Sequence, residues 1–298
     1  MQFLNFIDGI VFDQSPFSNS KEDLLRGHTK QVVSLRFSPD GTRMISGGLD
    51  GHVLVWELDN GQPRMLQDFN NLLSGAVTAL EWMGNDLFLT GSADGSITIY
   101  RHIANDTHSE FPARFRPIHT ITAHTGPVEA LATDMHKHIA SAGGRTVHLW
   151  VFNGITVIKQ ETPGASRECI PRGLAFLSGG EKLLVGYLES HEIICFQVNP
   201  WLPLSVRQVE TRVGYLSVSS DEKLVLIPNL CDGVDVYRLP ELDLVKTLKR
   251  SRPSHYICQA VFACDARFII AGNEDGQVVI YDLFDGEPVK QLSRPGKK

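Results

Sequence analysis

Cysteine is scarce in this sequence, and long apolar runs are absent from it. The five cysteines are odd in number and none stands in a CxxC pair, so neither a disulfide framework nor a zinc site is predicted. No apolar run reaches the ~18 residues that a membrane-spanning helix needs. The apolar start contains Asp8 and has no basic lead-in, unlike a secretory signal. These absences predict an intracellular protein, either cytoplasmic or nuclear.

The short signatures of common enzyme classes are also missing. There is no GxxxxGK[ST] phosphate loop, no GxSxG elbow, no HExxH zinc motif and no GxGxxG before a helix. Two histidines, His136 and His138, lie on the same side of an extended chain and could seed a metal site. Their predicted place in an exposed hairpin favours solvated side chains instead. We therefore predict a protein that is not an enzyme and that needs no cofactor and no metal.

The charge balance is mildly acidic. The sequence has 28 basic and 34 acidic side chains, which gives a formal net charge of -6. This balance does not favour nucleic acid as a partner. A hydrophobic content of 42% with 21% charged residues is typical of a globular protein with a sizeable core.

A pattern of strands and turns recurs six times along the chain. Each copy holds an alternating stretch, a turn, a second alternating stretch that ends in small residues, an acidic turn and a strand ended by an aromatic. The aromatics are Trp56, Tyr100, Trp150, Phe196, Tyr237 and Tyr281, spaced 44, 50, 46, 41 and 44 residues apart. This is the ~40–45 residue period of a four-stranded propeller blade.

The clearest copy covers residues 32–58. Its apolar residues alternate with period two, which is typical of strands buried on one face. Pro-Asp-Gly at 39–41 and Leu-Asp-Gly at 49–51 supply hairpin turns. No stretch shows convincing helical periodicity. The sequence therefore predicts an all-β fold, a β-propeller.

Together with the residues just before it, this copy resembles the GH…WD signature of the WD-repeat family. The signature would begin at Gly27-His28 and end at Trp56-Glu57. The resemblance covers nearly the whole chain. In that family a His, a Ser or Thr, an Asp and a Trp form a buried hydrogen-bonded tetrad within a blade. By motif position these residues would be His28, Ser46, Asp50 and Trp56. Such a network satisfies buried polar groups and pins a loop, a turn and a strand together, so its role is structural.

The other copies depart from the family pattern. The second copy lacks the His, and the third keeps His124, Ser141 and Trp150 but has Arg145 where the Asp is expected. In the fourth and fifth copies the pattern is nearly gone. Those blades are predicted to rely on packing instead.

The number of blades is predicted to be seven within a single domain spanning residues 1–298. Six four-stranded blades are assigned to residues 27–68, 69–118, 119–162, 163–205, 206–249 and 250–298. Residues 3–13 parallel residues 44–57, so residues 1–26 are predicted to form an incomplete first blade of about three strands. A six-bladed ring or an open arc is the alternative, and self-association could then cover an open blade edge.

The resemblance also implies where partners bind. In this family, partner-binding positions lie at the start of each innermost strand and just before the acidic turn. The residues at those positions that we expect to contact a partner are Gln31, Leu49, Glu129, Arg172, Glu189, Arg212, Tyr256 and Glu274. Arg172, Arg212 and Tyr256 are the leading candidates, because Arg and Tyr are enriched at interface hot spots. The alternative is that these are ordinary solvated side chains.

The function implied by the resemblance is that of a non-catalytic scaffold or adaptor, which binds partner proteins or peptides on the top face of a propeller. Two alternatives stay open. One is a substrate-recognition or regulatory subunit of a ubiquitin-ligase or signalling complex, suggested by the C-terminal blades. The other is a phosphoinositide-binding propeller, suggested by the basic run at residues 246–252. The paired-arginine motif of such propellers, Phe-Arg-Arg-Gly, is matched only loosely by residues 248–251, so membrane lipid is not expected as a partner.

Overall fold

The structure is a computed structural model that describes residues 25–58, 63–70, 75–103, 114–162, 167–229, 231–250, 258–273 and 276–293. These residues form twenty-four β-strands and one short 3-10 turn at Ser178–Gly180, with no α-helix among them. The strands make six four-stranded antiparallel sheets, which we name blades A to F in chain order. No helix in this part of the chain has the length and apolar character to cross a membrane.

The chain divides into two compact units, one centred on Asp23–Pro171 and the other on Arg172–Lys298. The first unit holds blades A to C. The strands of blade A are β1 to β4, at Val32–Phe37, Arg43–Gly48, Val53–Glu57 and Arg64–Phe69. Those of blade B are β5 to β8, at Val77–Trp82, Leu87–Ser92, Ser96–Ile103 and Arg114–Thr122. Those of blade C are β9 to β12, at Val128–Thr133, His138–Gly143, Thr146–Phe152 and Val157–Gln160.

The second unit holds blades D to F. The strands of blade D are β13 to β16, at Pro171–Leu177, Lys182–Tyr187, Glu192–Gln197 and Leu202–Gln208. Those of blade E are β17 to β20, at Ser217–Val218, Leu224–Pro228, Gly233–Arg238 and Asp243–Lys249. Those of blade F are β21 to β24, at Ala260–Ala263, Phe268–Gly272, Gln277–Asp282 and Pro288–Ser293.

The recurring aromatics occupy one position in all six blades. Each lies in the third strand and is at most 7% exposed. In every blade except C, the pairing of the third strand with the fourth shifts by one residue at this aromatic, for example between Val55 and Trp56. A β-bulge of this kind bends and twists the outer strand. The period read from the sequence is therefore the period of the blades.

Neighbouring blades within a unit pack through shared cores. Ile45 and Val55 of blade A contact Leu80 and Phe88 of blade B. The second strand comes so close to the next blade that a side chain would not fit. A Cβ at Gly47 would lie 2.4 Å from Val77 Cγ1, and a Cβ at Gly91 would lie 2.6 Å from Val128 Cγ1. The glycines near the ends of the second strands of blades A and B thus serve blade-to-blade packing.

The six four-stranded blades are confirmed, but the prediction of seven blades is wrong, since the described residues form six. Each blade takes its fourth strand from the sequence that follows its third, so no described blade borrows a strand from the start of the chain. The likeness between residues 3–13 and 44–57 is one of apolar alternation, and alternation alone does not decide which strand a segment pairs with. The predicted incomplete blade covers residues 1–26, of which residues 1–24 lie outside the described residues.

Candidate functional site

The predicted tetrad residues meet in blade A. His28 Nε2 lies 2.9 Å from Ser46 Oγ, and Trp56 Nε1 donates to the same oxygen at 3.0 Å. On the other side of the ring, His28 Nδ1 lies 3.1 Å from a carboxylate oxygen of Asp50. Because a carboxylate can only accept, Nδ1–H donates to Asp50, and in the neutral imidazole Nε2 then accepts the hydroxyl of Ser46. The network joins the loop before β1 to β2, β3 and the turn between them.

Asp50 holds the loop before β1 in place through several hydrogen bonds. Its carboxylate also accepts the backbone N–H of Thr29 at 2.7 Å and that of His52 at 3.2 Å. Burial by itself raises the pKa of Asp50, but the hydrogen bonds from Thr29, His28 and His52 outweigh it and hold this pKa well below its usual range. The carboxylate is therefore ionised at neutral pH, and the loop before β1 is held firmly.

Two of the predicted partner-binding residues, Gln31 and Leu49, lie beside this network. The backbone carbonyl of Gln31 accepts the N–H of Leu49 at 2.9 Å, so the start of β1 and the β2–β3 turn are side by side. Both side chains are exposed, and 45% of Leu49 is accessible to solvent. We call this end of a blade, where its first strand begins, the upper end. The same backbone hydrogen bond recurs from Ala93 to Ala76 in blade B at 2.9 Å.

Blade C contains a second histidine network. Trp150 Nε1 donates to Ser141 Oγ at 2.9 Å, and Ser141 Oγ lies 2.9 Å from His124 Nε2. On its other side His124 Nδ1 lies 3.1 Å from the hydroxyl of Thr146, which in turn donates to the carbonyl of Gly143 at 3.0 Å. Every polar group along this path is satisfied without a charge.

The turn of blade C differs from the one expected. Gly143 pairs with Thr146, so β10 and β11 are joined by a two-residue turn of Gly144 and Arg145, both with positive φ. In blade A, five residues lie between the paired Gly47 and Val53. The shorter turn leaves no place for a carboxylate beside the ring. Arg145 is thus a turn residue, and Thr146 is the hydrogen-bond partner of the histidine.

The surroundings of His124 favour its neutral form. The ring is 4% exposed and stacks on His148 with 4.7 Å between ring centroids. Lys159 approaches from β12, where Nζ lies 3.2 Å from His148 Nε2. Burial, followed by the neighbouring charges of His148 and Lys159, lowers the pKa of His124 to about 4. Burial and Lys159 also lower the pKa of His148.

A comparison with protein families supports what these geometries indicate. A model described as "WD domain, G-beta repeat" matches residues 19–57, 68–101, 115–151 and 243–282, which together make up half of the chain. The chain belongs to the WD-repeat family. Each match ends one residue after a third-strand aromatic, for example at 57 after Trp56. Residues 152–242, which hold blade D and most of blade E, lie between the matches.

Similar WD-repeat stretches occur in larger proteins. The chain is 24% identical to telomerase protein component 1 of Rattus norvegicus over 286 residues, which cover 92% of this chain and 10% of the relative. It is 22% identical to protein tipD of Dictyostelium discoideum over 296 residues, covering 96% and 45%. It is 28% identical to the U3 small nucleolar RNA-associated protein 15 homolog of Xenopus laevis over 212 residues, covering 70% and 38%. The chain thus spans less than half of the length of each of these relatives.

The WD-repeat pattern is replaced by other chemistry in blade E. Asp235 is 6% exposed and accepts from Thr247 Oγ1 at 2.7 Å and from Asn229 Nδ2 at 2.9 Å. The amide oxygen of Asn229 accepts three successive backbone N–H groups, from Cys231 to Gly233. Burial raises the pKa of Asp235. The sequence reasoning missed this network, although its signal was a polar Asn229 at the end of an apolar strand.

The other predicted partner-binding residues lie on three further blades of the WD-repeat chain. Glu129 is half-buried on β9, and Arg172 is half-buried on β13. Glu189 is exposed in the β14–β15 turn, and Arg212 is exposed ahead of β17. Tyr256 and Glu274 lie outside the described residues. Among the predicted set, the structure joins Gln31 to Leu49 by a hydrogen bond and distributes the remaining described residues over blades C, D and E.

The histidines considered as metal ligands serve a hairpin turn. His138 Nδ1 lies 2.6 Å from Asp134 Oδ2, and the same carboxylate accepts the backbone N–H groups of His136 and His138. No group of three or more metal-ligating side chains occurs within the described residues. The arrangement forms the turn and leaves His136 exposed.

Two cations of the basic run at residues 246–252, Lys246 and Arg250, are engaged in the fold. Lys246 Nζ donates to the carbonyls of Leu283 and Phe284, at 3.2 and 2.8 Å. Arg250 donates to the carbonyls of Asn229 and Gly233. Cations that already serve backbone carbonyls do not favour a phosphoinositide site at this run. Residues 251 and 252 lie outside the described residues.

Proposed function

We propose that this chain is a non-catalytic scaffold that binds partner proteins or peptides at the upper ends of its blades. The observation that carries the proposal is the locked upper end of blade A. There a buried network fixes the loop before β1, and Gln31 and Leu49 stand exposed beside each other. A preorganised surface loses little conformational entropy when a partner binds.

The chemistry of the buried polar groups also supports a scaffold. In blades A, C and E the histidines, aspartates and hydroxyls hydrogen-bond to one another and to the backbone. A catalytic base or nucleophile must instead be within reach of a substrate. These groups therefore suit the stabilisation of blades better than they suit a reaction.

The names of related proteins point to membership in larger assemblies. They include a telomerase protein component and a U3 small nucleolar RNA-associated protein. We propose that this chain likewise works inside the cell as one component of a complex. Whether that complex is a ubiquitin ligase, a signalling complex or another assembly would follow from the partners recovered.

The residues proposed to contact partners are those at the upper ends of the blades. They are Gln31, Leu49, Glu129, Arg172, Glu189, Arg212, Tyr256 and Glu274. Leu49 and Arg212 are the best ones to test, because both are exposed and can be changed without disturbing a core.

The test is affinity purification with quantitative mass spectrometry of the wild-type chain and of a Leu49→Ser/Arg212→Glu variant. We expect the variant to lose a defined set of partners by about tenfold, as removal of interface hot spots does. The matched control is Leu244→Ser/Lys223→Glu, which changes an exposed leucine and an exposed cation elsewhere. Equal recovery of every partner by both variants would contradict binding at the upper ends.

A further inference from the structure

Two large apolar side chains stand in solvent at the lower end of blade C, opposite the end used in the proposed function. Met135 is 80% exposed in the β9–β10 turn, and Ile155 is 83% exposed in the β11–β12 turn. The two turns lie at the same end of the sheet, since the N–H of Phe152 donates to the carbonyl of Lys137 at 3.0 Å. Scattered exposed leucines need no explanation, but two apolar side chains on adjoining turns form a local apolar surface.

Both turns are held rigid by side-chain hydrogen bonds. The carboxylate of Asp134 accepts the backbone N–H groups of His136 and His138, at 2.9 and 2.8 Å. In the other turn, Asn153 Oδ1 accepts the N–H groups of Ile155 and Thr156, at 2.9 and 2.8 Å. Met135 and Ile155 are therefore presented in fixed positions, which reduces the entropy lost on binding.

The neighbouring edge of blade B is cationic. Arg101 of β7 stands directly opposite Arg116 of β8, and Ile103 stands opposite Arg114. Arg101 donates to the carbonyl of Gly154 at 2.6 Å, which ties this edge to the β11–β12 turn. Directly opposed residues of an antiparallel pair project to the same face, and like charges there destabilise the sheet. An anion that binds Arg116 would reduce that cost.

The carboxylates in this region do not neutralise these cations. Asp134 is 2% exposed and is bound within its own turn. Asp86 lies 4.0 Å from His102, a residue that projects to the opposite face of β7 from Arg101. In the described part of the chain no carboxylate pairs with Arg114, Arg116 or Lys137. Among the described residues of this region the local charge is thus positive, on a protein whose net charge is -6.

We propose that this surface, which we call the basic corner, docks an acidic peptide segment of a partner protein. The basic corner consists of Ile103, Arg114, Arg116, Met135, Lys137 and Ile155. Carboxylates of the peptide bridge Arg114 and Arg116, and its apolar side chains cover Met135 and Ile155. It is a second surface, separate from the upper ends of the blades.

The side chains of the basic corner fit a peptide better than a nucleic acid. Sites for single-stranded nucleic acid combine cations with aromatic side chains on which bases stack, and the apolar members here are Ile and Met. Met and Arg are enriched in protein interfaces, and Arg forms paired hydrogen bonds to carboxylates. The geometry thus favours carboxylates carried on a peptide with apolar residues.

The test uses fluorescence anisotropy with the full chain and a labelled peptide of about 12 residues, in which Glu and Asp alternate with Leu and Phe. We expect saturable binding that weakens as salt is added. Arg114→Glu/Arg116→Glu should raise Kd at least about tenfold. Met135→Ser/Ile155→Ser should raise Kd by a similar factor while leaving the salt dependence unchanged, because it removes apolar contact only.

The matched controls are Lys223→Glu/Arg238→Glu for charge and Leu244→Ser/Val245→Ser for apolar surface, all at exposed positions of blade E. Both controls should bind like the wild type.

The proposal is overturned if the charge-reversed corner binds equally well, if a peptide with Lys in place of Glu and Asp binds as tightly, or if no binding is seen. Tighter binding of a poly-uridine oligonucleotide or of phosphatidylserine vesicles, lost in the same variants, would assign the corner to another ligand and also overturn it. Formation of a dimer by light scattering that depends on Met135 and Ile155 would do so as well.

Discussion

Blades A and C carry the same Trp–Ser–His hydrogen-bond path, and the two paths end on different groups. In blade A, Nδ1 of His28 faces the ionised carboxylate of Asp50. In blade C, Nδ1 of His124 faces the hydroxyl of Thr146, and a second histidine stacks on the ring. One family pattern has thus produced a network with a buried charge and a network without one.

The difference shows that the hydrogen-bond path, and not the charge, is what a blade requires. A carboxylate tolerates burial in blade A because several N–H groups point at it. The two-residue turn of blade C offers no such cluster of donors, so a neutral hydroxyl is the better acceptor there. The two blades should therefore respond differently to mutation and to acid.

The largest loss of stability is expected when the serine of the Trp–Ser–His path is replaced. Ser141→Ala leaves the N–H of Trp150 and a ring nitrogen of His124 buried without a partner, at a cost of about 3 kcal/mol. Ser46→Ala should cost less, about 2 kcal/mol, because His28 lies nearer to solvent than His124. Urea unfolding and local hydrogen–deuterium exchange of β10 and β2 would measure the two costs.

Ser220→Ala, at an exposed serine, is the control and should change the free energy of unfolding very little. If Ser46→Ala destabilised the chain more than Ser141→Ala, the comparison of the two blades would be reversed.

Acid should open blade C before blade A. The pKa of His124 is about 4 in the folded chain, below the 6.5 that is ordinary for histidine. Between pH 4 and pH 6.5 the unfolded chain therefore binds more protons than the folded chain. The stabilisation that neutral His124 provides is complete above pH 6.5 and is lost as the pH falls toward 4, on the order of 2 kcal/mol. Asp50 has a lowered pKa, so its contribution persists until the pH falls below its ordinary value of 3.8.

The measurement is local hydrogen–deuterium exchange of β10 and β2 at pH 7 and pH 5, corrected for the intrinsic exchange rate. His124→Gln should flatten the pH dependence in blade C, whereas His136→Gln, at an exposed turn, should leave it unchanged. Equal loss of protection in both blades at pH 5 would contradict the role given to His124 in blade C.

The smallest loss of stability is expected at Thr146, which stands in blade C where blade A has the carboxylate. Thr146→Val keeps the shape of the side chain and removes the acceptor for His124 Nδ1, which should cost about 1 kcal/mol. Thermal unfolding of this variant beside Thr125→Val, an exposed control from the same blade, would measure the cost. A variant as stable as the control would mean that water or the backbone serves Nδ1 equally well.

The fold could be predicted from the sequence because each blade is built from strands that follow one another in the chain. Each strand pairs with the next one along the chain, so apolar alternation, turns and the third-strand aromatics suffice to mark it. The same reasoning failed on the number of blades, because the match of residues 3–13 to residues 44–57 carried no information about which strand would pair with them.

The site was predictable to the extent that it followed motif spacing. His28, Ser46, Asp50 and Trp56 could be named because blade A has the ordinary turn length. Thr146 could not be named, because the segment from the serine to the tryptophan is one residue shorter in blade C than in blade A, and the hydrogen-bond partner of the histidine lies at another position. The network of Asn229 and Asp235 was missed because no motif marks it. Its polar groups were brought together by the pairing of β18, β19 and β20.

The sequence by itself determined the all-β class, the blade period and the identity of the first tetrad, since all three depend on residues that are near one another in the chain. Tertiary structure alone decided which group faces His28 and His124, which of the described cations have no described carboxylate as a partner and which of the described apolar side chains are exposed to solvent. The physical reason is that burial and charge pairing depend on the turns and on the packing of neighbouring blades, and a single residue of turn length changes both.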